Sequence, residues 1–108
     1  MKIEILHIAD CPNWKEAGER AQIALAQAGV SDATIQYRLL SSPEDAATVP
    51  FAGSPTILID GVDAFPSEGR TRDLACRVYF THPGLAGLPT TDQLRVAFME
   101  STTRDRQH

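Results

Sequence analysis

The chain has 108 residues, enough for one domain with one core and too few for two. Fourteen acidic against ten basic side chains leave a net charge of −4, which argues against nucleic acid or an anionic membrane as the main partner, since both require a basic face. No apolar run approaches the roughly 20 residues that span a bilayer, and Glu4 and His7 interrupt the N-terminal apolar run, so no signal peptide is read there. The expectation is therefore a cytoplasmic protein.

Residues 2–9 read as a strand. Ile3 and Ile5 alternate with Lys2 and Glu4, and then Leu6 and Ile8 make both faces apolar, the pattern of a central strand covered on two sides. From Pro12 to about Ala28 the apolar residues Trp14, Ala17, Ala21, Leu25 and Ala28 recur at helical steps, and Gly29 is a natural stop. Residues 33–40 alternate again, with Ile35, Tyr37 and Leu39 on one face and Thr34, Gln36 and Arg38 on the other. Strand, helix and strand in this order form a βαβ unit, so the two strands are expected to be parallel. Ser42-Pro43-Glu44-Asp45 is a helix start, and that helix is short because Pro50 and Gly53 follow. Residues 56–60 read as a third strand. The Asp60-Gly61 turn then sends residues 62–65 back antiparallel. Residues 66–73 read as a mobile polar loop. Residues 74–81 are ambiguous between strand and helical turn, and Pro83, Gly84 and Gly87 mark a loop. Thr90 with Gln93 makes a capping box for a last helix with Leu94, Ala97 and Phe98 buried. Residues 100–108 are expected to fray.

The first chemically suggestive residue is Cys11. Placed where the first strand hands over to a helix, it would meet the orphan N–H groups at the positive end of the helix dipole. Pro12 suits a first helical turn. Asp10 is expected to help cap that helix. His7 reads as a hydrogen-bonded core histidine, and Trp14 as a packing residue that could also wall a ligand. His82 and His108 form no ligand spacing with either cysteine. Arg70, Arg72 and Arg77 are either a solvated face or, if turned toward Cys11, a holder for a carboxylate. Neither a Gly-rich phosphate loop nor zinc spacing is present, so no cofactor is expected. In a reducing compartment a lasting Cys11–Cys76 staple is disfavoured, and a reversible or catalytic bond is the better reading if the two meet.

The order β-α-β-α-β-β-α, with Asp10-Cys11-Pro12-Asn13-Trp14 after the first strand and Ser54-Pro55-Thr56 opening the third, resembles the thioredoxin-like family. The resemblance implies an α/β fold with a mixed four-stranded sheet and helices on both faces, and a single domain over residues 1–108. It also implies a cis Ser54–Pro55 bond facing Cys11. Ser54, Pro55 and Thr56 would then hold the backbone of a thiol-containing peptide, a protein or a glutathione-like small thiol. Trp14 stands where that family's Cys-x-x-Cys motif has its second cysteine. Three routes stay open: Cys11 acts with an external thiol as resolver, Cys76 resolves, or the fold persists as a non-catalytic binding or adaptor module. A further reading is soft-metal binding. Small thioredoxin-like chains with similar Cys-Pro-Asn and Ser-Pro-Thr pairs are sometimes labelled organomercury lyases, and paired thiolates at Cys11 and Cys76 would suit mercury or arsenite. Carbon–mercury cleavage would need a proton donor, for which Asp10 is the nearest acid in sequence.

Overall fold

In a computed structural model, the described residues are 1–65, 77–81 and 84–106. Their elements in chain order are β1 (Lys2–His7), α1 (Trp14–Gln27), β2 (Thr34–Leu39), α2 (Pro43–Ala47), β3 (Thr56–Ile59), β4 (Val62–Asp63), β5 (Tyr79–Thr81), β6 (Gly84–Ala86) and α3 (Thr91–Arg106). Four strands form a mixed sheet in the order β2-β1-β3-β4. β1 and β2 are parallel, with Ile3 beside Ile35 and His7 beside Leu39. β3 runs antiparallel to both β1 and β4.

The alternation along β1 sorts two cores. Ile3 and Ile5 lie across from Ile59 and Ile57, and all four pack with Ala17, Ala21, Ala24 and Leu25 of α1 and Leu94, Ala97 and Phe98 of α3. The alanines of α1 carry little side chain on this face, which lets the helix sit close to both the sheet and α3. Each fully buried isoleucine on this face contributes about 1.5–3 kcal/mol. On the opposite face Leu6, Ile8 and Leu58 pack with Leu40, Ala46 of α2, Val49, Phe51 and Cys11. Helices therefore cover both faces of the sheet.

Local chemistry explains the boundaries. The Ser42 hydroxyl accepts the Asp45 N–H and Pro43 fills the first position of α2. Thr90 and Gln93 cap α3 reciprocally, at 2.8 and 3.1 Å. Asp60 and Gly61 adopt φ values of 51° and 87°, the left-handed pair of a tight hairpin turn, and the Asp60 carboxylate accepts the Lys2 N–H.

Four expectations are corrected. α1 starts at Trp14 rather than Pro12, because the Cys11 N–H closes a turn onto the Ile8 carbonyl before any helix begins. Asp10 does not cap it: Asn13 occupies the N-cap position, without a side-chain capping bond. Residues 84–86, read as loop, form a hairpin with β5 in a separate two-stranded sheet, which also resolves 79–81 as strand. α3 continues to Arg106, where fraying was expected from residue 100. Thr102 and Thr103 turn their hydroxyls back onto the Phe98 and Met99 carbonyls, so polar side chains there remain compatible with helix. The expected loop at 66–73 and residues 74–76 lie outside the described residues.

Candidate functional site at the Ser54–Pro55 turn

Cys11 sits two residues before the N-cap of α1. It faces the core on the α2 side of the sheet, with no exposed surface. It is a free thiol, and its S–H donates to the Ser54 carbonyl at 3.6 Å. The expected arrangement, a sulfur perched on the helix N–H groups, is therefore corrected. The turn from Ile8 to Cys11 aims the side chain across the sheet end, away from α1, and there it fills space among Leu6, Ile8, Phe51 and Leu58 as a small hydrophobe does.

The turn opposite Cys11 is built from Gly53, Ser54, Pro55 and Thr56. The Ser54–Pro55 bond is cis, and Ser54, Pro55 and Thr56 are all fully buried. The hydroxyls of Ser54 and Thr56 and the carbonyls of Gly53, Ser54 and Pro55 each have a partner within the chain. The Ser54 hydroxyl accepts the Ile8 N–H at 3.1 Å. The Thr56 hydroxyl accepts the Ala52 N–H and donates to the Gly53 carbonyl. The Ser54 carbonyl takes two donors, the Cys11 thiol and the Arg77 N–H at 2.8 Å, which uses both of its lone pairs. The Pro55 carbonyl accepts the Tyr79 hydroxyl. The backbone that the family resemblance assigns to a bound peptide is thus occupied by residues 77–79 of the same chain.

Gly53 permits that closure. It holds φ at +109°, and a Cβ there would stand 2.8 Å from Arg77 Cα and Cβ, inside any tolerable contact. Arg77 is itself buried. Its Nη1 meets both Asp63 carboxylate oxygens at 3.1 and 3.0 Å, and its Nη2 donates to the Phe65 carbonyl. The guanidinium carbon lies 4.6 Å from the centre of the Tyr79 ring. Tyr79 also meets Phe65 edge to face at 5.5 Å. Burial pushes the Tyr79 phenol above its usual range, with Arg77 opposing that rise and Asp63 adding to it. Arg77 is therefore neither solvated nor a holder for an external carboxylate: its carboxylate is Asp63. Arg70, Arg72, Cys76, His82 and His108 lie outside the described residues.

Trp14 and His7 form a second cluster on the α1 side. Their rings stack at 4.5 Å and 16°, Tyr37 meets Trp14 edge-on at 5.3 Å, and Lys15 Nζ lies 5.4 Å from the indole centre. The Tyr37 hydroxyl lies where a Cβ on Gly18 would stand, so glycine at 18 makes room for that ring. His7 was expected to be hydrogen-bonded. Its Nδ1 is buried with no hydrogen-bond partner, in a ring that stacks on Trp14. Burial lowers the imidazole pKa, partly offset by the Ile8 backbone.

The structure brings Cys11, Ser54, Pro55 and Thr56 together and places Trp14 elsewhere, among the α1-side aromatics. The residues that sequence reasoning missed are Asp63 and Tyr79, with Arg77 in a role it was not given. The available signal was Gly53, a residue without a side chain just ahead of a rigid Ser-Pro turn, which marks a close backbone approach. A shallow groove of about 350 Å³ runs between α3 and the residues after β4, lined by Phe65, Gln93, Val96 and Ala97 among others, and neither Cys11 nor the Ser54–Pro55 turn lines it. Among the described residues no helix is long and apolar enough to cross a membrane. No protein-family model, curated protein or solved structure matches the chain.

Proposed function

We propose that this chain is a non-catalytic thioredoxin-like module in which Cys11 serves as a packing and hydrogen-bonding residue. One observation carries the reading: the Ser54 carbonyl is doubly occupied by the Cys11 thiol and the Arg77 N–H, beneath a fully buried surface. A nucleophile must be reached by its electrophile, and a peptide-binding carbonyl must have a free lone pair. Neither condition is met while residues 77–79 are in place. Trp14 in the position of a resolving cysteine agrees with this reading.

A second reading, thiol exchange, is favoured by the 3.6 Å contact between Cys11 and Ser54. It requires residues 77–79 to leave the turn. The Cys11 thiolate would then attack a partner disulfide and expel one partner sulfur as a thiolate; Cys76 or an external thiol would attack the Cys11 sulfur of that mixed disulfide, expelling the second partner sulfur as a thiolate and leaving Cys11 in a disulfide with the resolver. The soft-metal reading needs both cysteines within reach of one ion.

Alkylation of a Cys76→Ser variant with iodoacetamide, followed by mass spectrometry, separates these. The non-catalytic reading predicts that Cys11 reacts only as fast as the protein opens, with a rate that tracks urea-dependent stability. Modification of the folded protein at the rate of a free exposed thiol would overturn that reading in favour of exchange.

A further inference from the structure

We propose that two copies of this chain pair through β2, joining their sheets into one of eight strands about a two-fold axis at Tyr37. This inference goes beyond the module reading and depends on a different part of the molecule.

β2 is an edge strand six residues long. Its hydrogen-bonding parity is set at both ends: the Thr34 N–H goes to Met1 O and the Leu40 N–H goes to His7 O. In a parallel ladder the even-numbered residues therefore turn their backbone groups toward β1, and the odd-numbered ones turn theirs outward. Ile35, Tyr37 and Leu39 consequently present three N–H and three C=O groups along the open edge, with no partner among the described residues. Tyr37 and Leu39 are also 45% and 51% exposed. Edge strands are ordinarily protected by proline, bulges, brevity or several charges. β2 has no proline, and Arg38 is its only charge.

The strand is complementary to itself in one register. A two-fold axis perpendicular to the sheet preserves faces, so odd residues must oppose odd ones. With Tyr37 opposite Tyr37 of the other copy, Ile35 opposes Leu39 on both sides. All three outward residues of each copy then become hydrogen-bonded pairs, which gives six N–H···O bonds and leaves none of the outward groups unpaired. The α1-side face gains aromatic and aliphatic cross-strand neighbours. On the other face Gln36 opposes Arg38 of the second copy, an amide against a guanidinium. The neighbouring registers are worse. Centring on Arg38 sets guanidinium against guanidinium, and centring on Gln36 pushes Leu39 past the end of the strand onto Ala33. A second copy supplies this match along the whole edge, and a closed two-fold contact stops at two chains.

The test is sedimentation equilibrium of the full chain up to about 1 mM, with two variants. Gln36 is exposed and neighbours Glu4 on β1, so Gln36→Lys gains an opposite charge within its own fold while facing Arg38 across the axis. It is expected to raise the dimer Kd roughly tenfold with thermal stability of the monomer retained. The double variant Gln36→Lys/Arg38→Glu sets opposite charges across the axis and is expected to restore the wild-type Kd or better. A wild-type chain that stays monomeric at every concentration overturns the proposal. So does a dimer whose Kd ignores both variants.

Discussion

The two edges of the four-stranded sheet are opposite in character. At the β4 edge the strand is only two residues long, and Arg77 and Tyr79 meet Asp63 and Phe65 there. Asp63 is held by the buried Arg77, whose ring neighbour Tyr79 reaches the Pro55 carbonyl. At the β2 edge six residues run bare, half-exposed Tyr37 and Leu39 among them. Saturated carbonyls and a paired carboxylate at one end, and bare backbone groups along the other edge, set the two apart. The chemically suggestive sequence, Cys11 with Ser54-Pro55, lies at the saturated end. The carbonyls of Ser54 and Pro55 are met there by a short length of the same chain, residues 77–79.

Removing the guanidinium tests the saturated edge hardest. Arg77→Met leaves the Asp63 carboxylate, the Phe65 carbonyl and the Tyr79 ring without their shared partner. The expected loss is about 2–3 kcal/mol in urea unfolding, under the range for a wholly buried pair because Asp63 keeps some contact with water. A loss near zero would mean that Arg77 does not hold residues 77–79 in place. Tyr79→Phe is gentler. It deletes one hydroxyl and leaves the Pro55 carbonyl unpaired, for about 1–2 kcal/mol. It also has a pH signature. The folded phenol titrates above its ordinary value of 10.0, so the folded state keeps a proton that the unfolded state gives up. Stability from this group is complete below pH 10 and falls as pH rises beyond it. The wild type should therefore lose stability above pH 10 more steeply than Tyr79→Phe, and parallel alkaline profiles would show that the phenol is not buried as described.

Much of the frame was readable in advance because it is written in short-range terms. Period-two alternation in residues 2–8, helical spacing from Trp14 to Ala28, Ser42-Pro43, Asp60-Gly61 and Thr90 with Gln93 each depend on residues within a few positions of one another. The parallel β1–β2 pair and the β3–β4 hairpin followed from connecting these pieces, while their union in one mixed four-stranded sheet was what the family resemblance implied. What stayed hidden is long-range and polar. Arg77 meets Asp63, fourteen residues away, across a stretch whose geometry no local pattern encodes. The direction of the Cys11 side chain turned on a single turn bond from its N–H to Ile8 O, which moved the helix start by two residues and sent the sulfur to the opposite face. His7 was legible as buried but not as unpaired or as stacked on Trp14.

The smallest expected effect examines the vacant edge within a single chain. By the parity of β2, the residue-39 N–H points to solvent and the residue-38 N–H points to β1. Proline on an edge strand is tolerated where the missing N–H was unused, and the residue before it remains extended, as a strand requires. Leu39→Pro, studied at concentrations where the chain is monomeric, is expected to cost under about 1 kcal/mol, most of it from the half of the leucine that was buried. Arg38→Pro, one residue earlier and also exposed, deletes a ladder bond and forces a ring against β1, and should cost about 3 kcal/mol or prevent folding. The contrast matters more than either value, because side-chain burial alone ranks the two the other way: Leu39 has more apolar surface to lose than Arg38. Equal costs would mean that the outward groups of β2 are engaged within the chain, and the vacancy on which the two-edge comparison rests would be gone.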